Sequence, residues 1–212
     1  MNLPFFDLNA LEQELKELPH LHRVAFAAAI CERMLPNYNA FSHMENWGDP
    51  FVPRKALDEI WQILQGEPAE VTKVHQLRQE CGCEGVFPDS DEFCDSYYLF
   101  EAQETLFAIR ATLLAFLDSD LQNIIQVVKC ARFNTIESFI YARDKSFQAS
   151  PNKDELEVVA LAIANHPLAV RELAKENEDL QRLKEAKTLD YDLLEWLRTS
   201  FNNDGKSIID AS

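Results

Sequence analysis

The stretch "SDLQNIIQVVKCARFNTIESFI", Ser119 to Ile140, decides the fold class, because its apolar residues recur at intervals of three and four. Leu121, Ile124, Ile125 and Val128, followed by Ile136, Phe139 and Ile140, fall on one stripe of a 3.6-residue repeat, the face of a packed helix. Ser119 stands three residues before Gln122, a capping-box spacing that marks the expected start of this helix. No run of alternating β-branched residues occurs anywhere in the chain, and five glycines among 212 residues leave little to turn strands with. The expected fold is all-α.

Working outward, Glu92 to Leu117 is expected to be a long helix, with Phe93, Tyr97, Phe100, Glu104, Phe107 and Leu114 at helical intervals. Asp89, Asp91, Glu92 and Asp95 would sit at the positive end of its dipole. Upstream, a first helix is expected over Asn9 to Leu18, with Asn9 and Glu12 as a capping box, and a second that ends before Pro36. Tyr38 to Trp47 reads as a third, closed by Gly48. Pro53 to Leu64 is a fourth, carrying Ala56, Leu57, Ile60, Trp61 and Leu64 on one face, and Val71 to Cys81 a fifth. Downstream, Asp154 to Lys187 is helical but interrupted at Pro167, and Asp190 to Phe201 closes the array. The linker-like "QASPNKDE", Gln148 to Glu155, is too short to separate domains. The expectation is one domain over residues 1–203, about eight helices in a bundle-like or orthogonal array, with a frayed tail at 204–212.

Composition narrows the partners. With 47% hydrophobic residues the chain can build one substantial core. Thirty-six acidic against 20 basic side chains give a net charge of -16, which repels phosphate backbones and anionic membrane surfaces. No nucleic acid and no membrane are expected as partners. The most apolar window, Val24 to Cys31, is much too short to span a bilayer, and the N-terminus has no basic flank before an apolar run. An odd cysteine count without an export signal fits reduced thiols in the cytoplasm.

The stretch "QECGCEGVFPDSDEFC", Gln79 to Cys94, gathers three of the five cysteines. Structural zinc sites use four ligands, with cysteines paired two to four residues apart; Cys81 and Cys83 are separated by one residue and Cys94 stands alone. Gly82, Gly85 and Pro88 read better as a turn. The five histidines form no H-x-x-x-H, Glu101 and Glu104 lack a Glu-x-x-His partner motif, and no nucleophile elbow or phosphate loop is present. No metal, no cofactor and no catalytic residue is assigned. Glu104 stands out because a carboxylate on an apolar stripe needs a charged or hydrogen-bonding partner.

The densest polar-aromatic run is "AAAICERMLPNYNAF", Ala27 to Phe41, followed by "RKALDEIWQIL", Arg54 to Leu64. Cys31, Glu32, Arg33, Met34, Pro36, Asn37, Tyr38, Phe41, Gly48, Asp49, Arg54, Leu57, Asp58, Ile60 and Trp61 together resemble the YjaG-like family of bacterial proteins, classed as a domain of unknown function. A weaker likeness runs through "FPDSDEF" to Glu104, so the resemblance covers roughly residues 20 to 117; it implies an all-helical single domain and names no activity. The cysteines at 81, 83 and 94 stand outside the pattern.

Physically, the matched residues read as a polar network. Asn37 is suited to cap a helix, Arg54 and Asp58 are four apart on one face, and Trp61 lies seven beyond Arg54. Arg33 or Arg54 reaching Glu104 would make a buried ion network between three helices. The candidate site is therefore Glu32, Arg33, Asn37, Tyr38, Arg54, Asp58, Trp61 and Glu104, as a ligand-binding or a structural network. Two functions follow. The first is a soluble cytoplasmic protein, more readily a binder than an enzyme, that acts on a protein partner, a basic one by charge. The second is a small-molecule-binding or hydrolytic protein with a polar pocket between the N-terminal helices. Oligomeric state leaves no mark on the sequence.

Overall fold

A computed structural model of the chain describes residues 3–148, 156–201 and 207–210. Among the described residues there are helices and no strand: α1 (Leu8–Lys16), α2 (His20–Glu45), α3 (Phe51–Leu64), α4 (Val71–Glu80), α5 (Leu99–Asp118), α6 (Leu121–Lys129), a π-helical stretch (Cys130–Glu137), α7 (Ser138–Arg143), α8 (Lys145–Gln148), α9 (Leu156–Ala164), α10 (Pro167–Glu185) and α11 (Tyr191–Thr199). The all-α expectation holds. The linker-like stretch falls largely outside the described residues, as does the expected helix start at Asp154.

Helices α2 and α5 form the spine. Val24 through Cys31 are all buried, and the alanines among them carry no side chain beyond Cβ, so a neighbouring helix can approach closely. The two helices run antiparallel, which three contacts fix: His20 Nε2 donates to the Ala115 carbonyl at 2.8 Å, Cys31 Sγ lies 3.2 Å from Thr112 Oγ1, and Thr105 Oγ1 donates to the Met34 carbonyl at 3.1 Å. α3, α4, α6 and the π-helical stretch then pack around α5, while α10 and α11 pack against α2.

Three expectations on the N-terminal half are corrected. Asp7, not Asn9, caps α1, accepting from the Ala10 amide at 2.9 Å. The expected second and third helices are one, because α2 continues through Pro36 to Glu45. A proline in a helix interior costs about 3 kcal/mol and leaves the Glu32 carbonyl without its amide. Burial of Met34, Leu35, Tyr38 and Phe41 around the proline offsets that cost. Asn37 therefore caps nothing; it lies in mid-helix. α2 stops instead at Asn46, whose left-handed φ of 48° closes the last turn, and Gly48 follows at φ 84°. A Cβ at Gly48 would lie 2.8 Å from Tyr38 Oη, so this turn admits only glycine.

The long helix expected from Glu92 begins at Leu99. Asp89 diverts the chain, because its side chain accepts from the Asp91 amide at 2.7 Å and the Glu92 amide at 3.3 Å, an alternative to helical bonding. Ser119 takes the left-handed region at the end of α5 (φ 60°), and it is Asp120 that caps α6 through the Gln122 amide. Pro167 separates α9 from α10 as expected. The tail expected to fray does not do so over residues 207–210: Ile208 and Ile209 are core residues, and Arg171 donates to the carbonyls of Asp210, Ser207 and Ile208.

Candidate functional site

Glu32 and Arg33 are neighbours on α2 and therefore point about 100° apart, which sends them into two different clusters. Glu32 turns toward α3. Its two oxygens accept from Arg54 Nη1 and Nη2, each at 2.6 Å, and Oε1 also accepts from Trp61 Nε1 at 2.6 Å. Arg54 Nε lies 3.0 Å from Asp58 Oδ1, and Arg198 of α11 closes the ring, 2.5 Å from Asp58 and 3.6 Å from Glu32. Four expected residues, Glu32, Arg54, Asp58 and Trp61, thus meet, with Arg198 added. The cluster holds two carboxylates and two guanidiniums and remains partly open to water.

Arg33 turns the other way, into the core. Its Nε lies 3.0 Å from both Glu172 oxygens, Nη2 lies 2.6 Å from Oε1, and Nη1 donates to Asp179 Oδ2 and to the Ala29 carbonyl at 3.0 Å. Lys175 also pairs with Asp179, and Arg132 of the π-helical stretch grips Glu176 at 3.0 and 3.1 Å while donating to the Phe5 carbonyl. Three cations and three carboxylates are buried together here. Burial pushes the Glu176 and Asp179 carboxyls up, against the pull of Arg132 on one and of Arg33 and Lys175 on the other. Burial likewise lowers the Lys175 ammonium against the pull of Asp179. Isolated charges at these depths would be far costlier, so pairing is what permits them.

The remaining expected residues stand apart. Glu104 is met by neither Arg33 nor Arg54; it accepts from Asn134 Nδ2 at 2.8 Å. The π-helical geometry places Asn134 there, and the same stretch presents Arg132 to Glu176. Tyr38 Oη donates to the Val86 carbonyl at 2.6 Å, and burial pushes its phenol up to about 12. Asn37 is fully buried, and neither amide atom has a hydrogen-bond partner among the described residues. The expected three-helix network through Glu104 is therefore three separate arrangements.

The family described as "Protein of unknown function (DUF416)" matches residues 10–210. The chain belongs to the DUF416 family. It is 27% identical over 202 residues to the uncharacterised protein YjaG of Escherichia coli, with 95% of each chain covered. It is 31% identical over 122 residues to YjaG of Salmonella typhimurium, covering 57% of this chain and 60% of that one. The crystal structure of a DUF416 family protein from Shewanella baltica superposes with a TM-score of 0.78 at 25% identity, covering 95% of this chain and 97% of that one. The likeness noted in sequence over residues 20 to 117 thus extends to residue 210, and takes in α10.

In this DUF416 chain sequence reasoning missed Arg132, Asn134 and Arg198, and on α10 it missed Glu172, Lys175, Glu176 and Asp179. A charged helix face normally reads as a solvated one. The signal was nonetheless present: these positions continue the 3.6-residue stripe that Leu168 and Ala169 open and Leu180 and Leu183 close, all buried. A charged run on an apolar stripe has to be paired inside.

Chemically, the clusters are saturated. The Cys31 thiol is pushed up to about 12 by burial and is no nucleophile. Among the described residues no group of three or more His, Cys, Asp or Glu is placed to hold a metal ion, and no helix is long and apolar enough to cross a membrane. A cavity of about 140 Å³ lies between Asp7, Leu11 and Glu14 of the N-terminal region and Leu173 and Asn177 of α10, and no expected site residue lines it. A groove of about 400 Å³ runs along α3 past Phe51, Arg54, Lys55, Asp58 and Gln62 to Lys73 of α4; Arg54 and Asp58 are the expected residues on it.

Proposed function

We propose that this chain works by binding a basic protein partner. The observation that carries this reading is the location of the charge. The buried network is neutral, three cations against three carboxylates, so the net charge of -16 is borne entirely outside it. An acidic surface of that size speeds encounter with a cationic partner and turns nucleic acids away. The saturated Glu32 and Arg33 clusters, with every charge paired, support a scaffold role for them and leave recognition to the exterior.

Affinity capture of the tagged chain from its native cell, read by mass spectrometry for proteins and metabolites, tests the proposal. The expected result is enrichment of proteins of high isoelectric point that elute as salt is raised. Recovery of a metabolite with no protein would overturn it. That outcome would favour a second reading, a small molecule in the α3 groove, which Arg54 and Asp58 line.

A further inference from the structure

The loop between α4 and α5 folds back along the outer face of α5. Gln103 Nε2 donates to the Pro88 carbonyl at 2.9 Å and to Ser90 Oγ at 3.0 Å, and Phe87 packs against Phe107 with ring centroids 5.0 Å apart. Phe100 and Phe107 are seven residues apart, so they share this face. They are 43% and 41% exposed, and Tyr97, just before the helix, is 45% exposed. Grouped exposed rings mark a contact surface more often than scattered ones do.

The chain segment that carries these rings is acidic. From Gln79 to Ile109 the chain has no Lys, Arg or His, while Asp89, Asp91, Glu92 and Asp95 are all exposed. Arg143 of α7 shows what such a surface accepts: its guanidinium lies 4.2 Å from the centre of the Tyr97 ring and pairs at 2.9 Å with the buried carboxylate of Glu101. By contrast Phe51, 81% exposed at the head of the α3 groove, has Arg54, Lys55 and Lys73 as well as Asp58 and Glu59 along the same groove, a mixed lining less suited to a basic segment.

We propose that this face of α5 is the docking surface for an arginine-rich segment of a partner protein. Guanidinium planes stack on Phe100 and on the part of the Tyr97 ring that Arg143 leaves exposed, and the neighbouring charges of the segment meet Asp89, Asp91, Glu92 and Asp95. The proposal rests on the basic-partner reading above and adds a location and a preference. Arginine is favoured over lysine because a planar, weakly hydrated guanidinium stacks on a ring while bonding a carboxylate, whereas an ammonium is a compact, strongly hydrated charge.

The full chain titrated with nona-arginine and with nona-lysine, followed by calorimetry and by backbone amide shifts, tests this. Nona-arginine is expected to bind about tenfold more tightly, the equivalent of two exposed stacking contacts. Its shifts should gather at residues 87–107. The double variant Tyr97→Ala/Phe100→Ala, its fold checked by circular dichroism because Tyr97 also supports Arg143, should erase the difference between the peptides, and D89N/D91N/E92Q/D95N should weaken both. Equal binding of the two peptides, indifference to Tyr97→Ala/Phe100→Ala, or shifts centred on another face would overturn the docking surface while leaving the basic-partner reading standing. If neither peptide binds, both fall.

Discussion

Arg33 on α2 and Glu172 on α10, 139 residues apart, hold one another in a forked pairing of 2.6 to 3.0 Å with both side chains essentially out of water. The pairing defines where α10 sits along α2, since a fork accepts its carboxylate in few orientations. Arg33 Nη1 then reaches Asp179, two turns further along α10, so a single guanidinium reads two positions of one helix.

Removing one partner exposes the cost of burying the other. Glu172→Ala should destabilise the fold by about 3–5 kcal/mol, because Arg33 keeps its charge and loses its fork. Arg33→Lys should also destabilise it, since one ammonium cannot serve Glu172, Asp179 and the Ala29 carbonyl together. Urea unfolding measures both. A loss under about 1 kcal/mol for Glu172→Ala, the range of exposed pairs, would show that water reaches this layer.

The Ile208 amide donates to the Arg33 carbonyl at 3.2 Å, on the turn of α2 just before Pro36. The Ile208 side chain is fully buried, so Ile208→Ala should cost about 2–4 kcal/mol as a core truncation. Hydrogen exchange supplies an independent check, with the Ile208 amide expected to exchange as slowly as interior helical amides. Rapid exchange there would mean that residues 207–210 are not anchored.

The pH dependence has a definite sign. Burial raises Glu176 and Asp179, and a carboxyl with a higher pKa in the folded state binds its proton more readily there. Its contribution to stability is complete below the unfolded value, about 4, and is lost as the pH rises through the folded value. Glutamine does not titrate, so E176Q should gain on the wild-type protein as the pH is raised through this window. Thermal midpoints of both proteins across the range decide the matter, and an E176Q midpoint that falls further behind the wild type as the pH rises is the contrary outcome.

Thiol chemistry divides the five cysteines. Burial pushes Cys31 and Cys81 up to about 12 and Cys130 above the ordinary thiol range, while Cys83 and Cys94 are exposed. An aromatic disulfide reagent should label two thiols promptly in the native protein and the other three only on unfolding. A third fast thiol would show that one of the buried sites opens.

Helix periodicity at Leu121 to Ile140 and at Pro53 to Leu64 was legible because packing there follows the local repeat. Pro36 misled because its local penalty is outweighed by apolar contacts that only the tertiary fold supplies. The start of α5 was misplaced for a different reason: Asp89 bonds its own turn, and side-chain to backbone bonds compete with helix locally. In the site, the grouping of Arg54, Asp58 and Trp61 was within reach of spacing arguments, whereas Glu32 came in only through the resemblance. The partners of Arg33 were not, since nothing local links α2 to a helix more than a hundred residues later.

That separation has a consequence for synthesis. A ribosome delivers α2 with its apolar window and the Arg33 charge long before Glu172, Asp179 or Ile208 exists to complete them. α5 can cover part of the apolar window earlier, but the side of α2 that meets α10, α11 and Ile208 stays open until the last third emerges, which leaves it exposed to aggregation. Such a chain is a natural client for chaperones that shield apolar segments during translation, and its yield should respond to them more than its final stability would suggest.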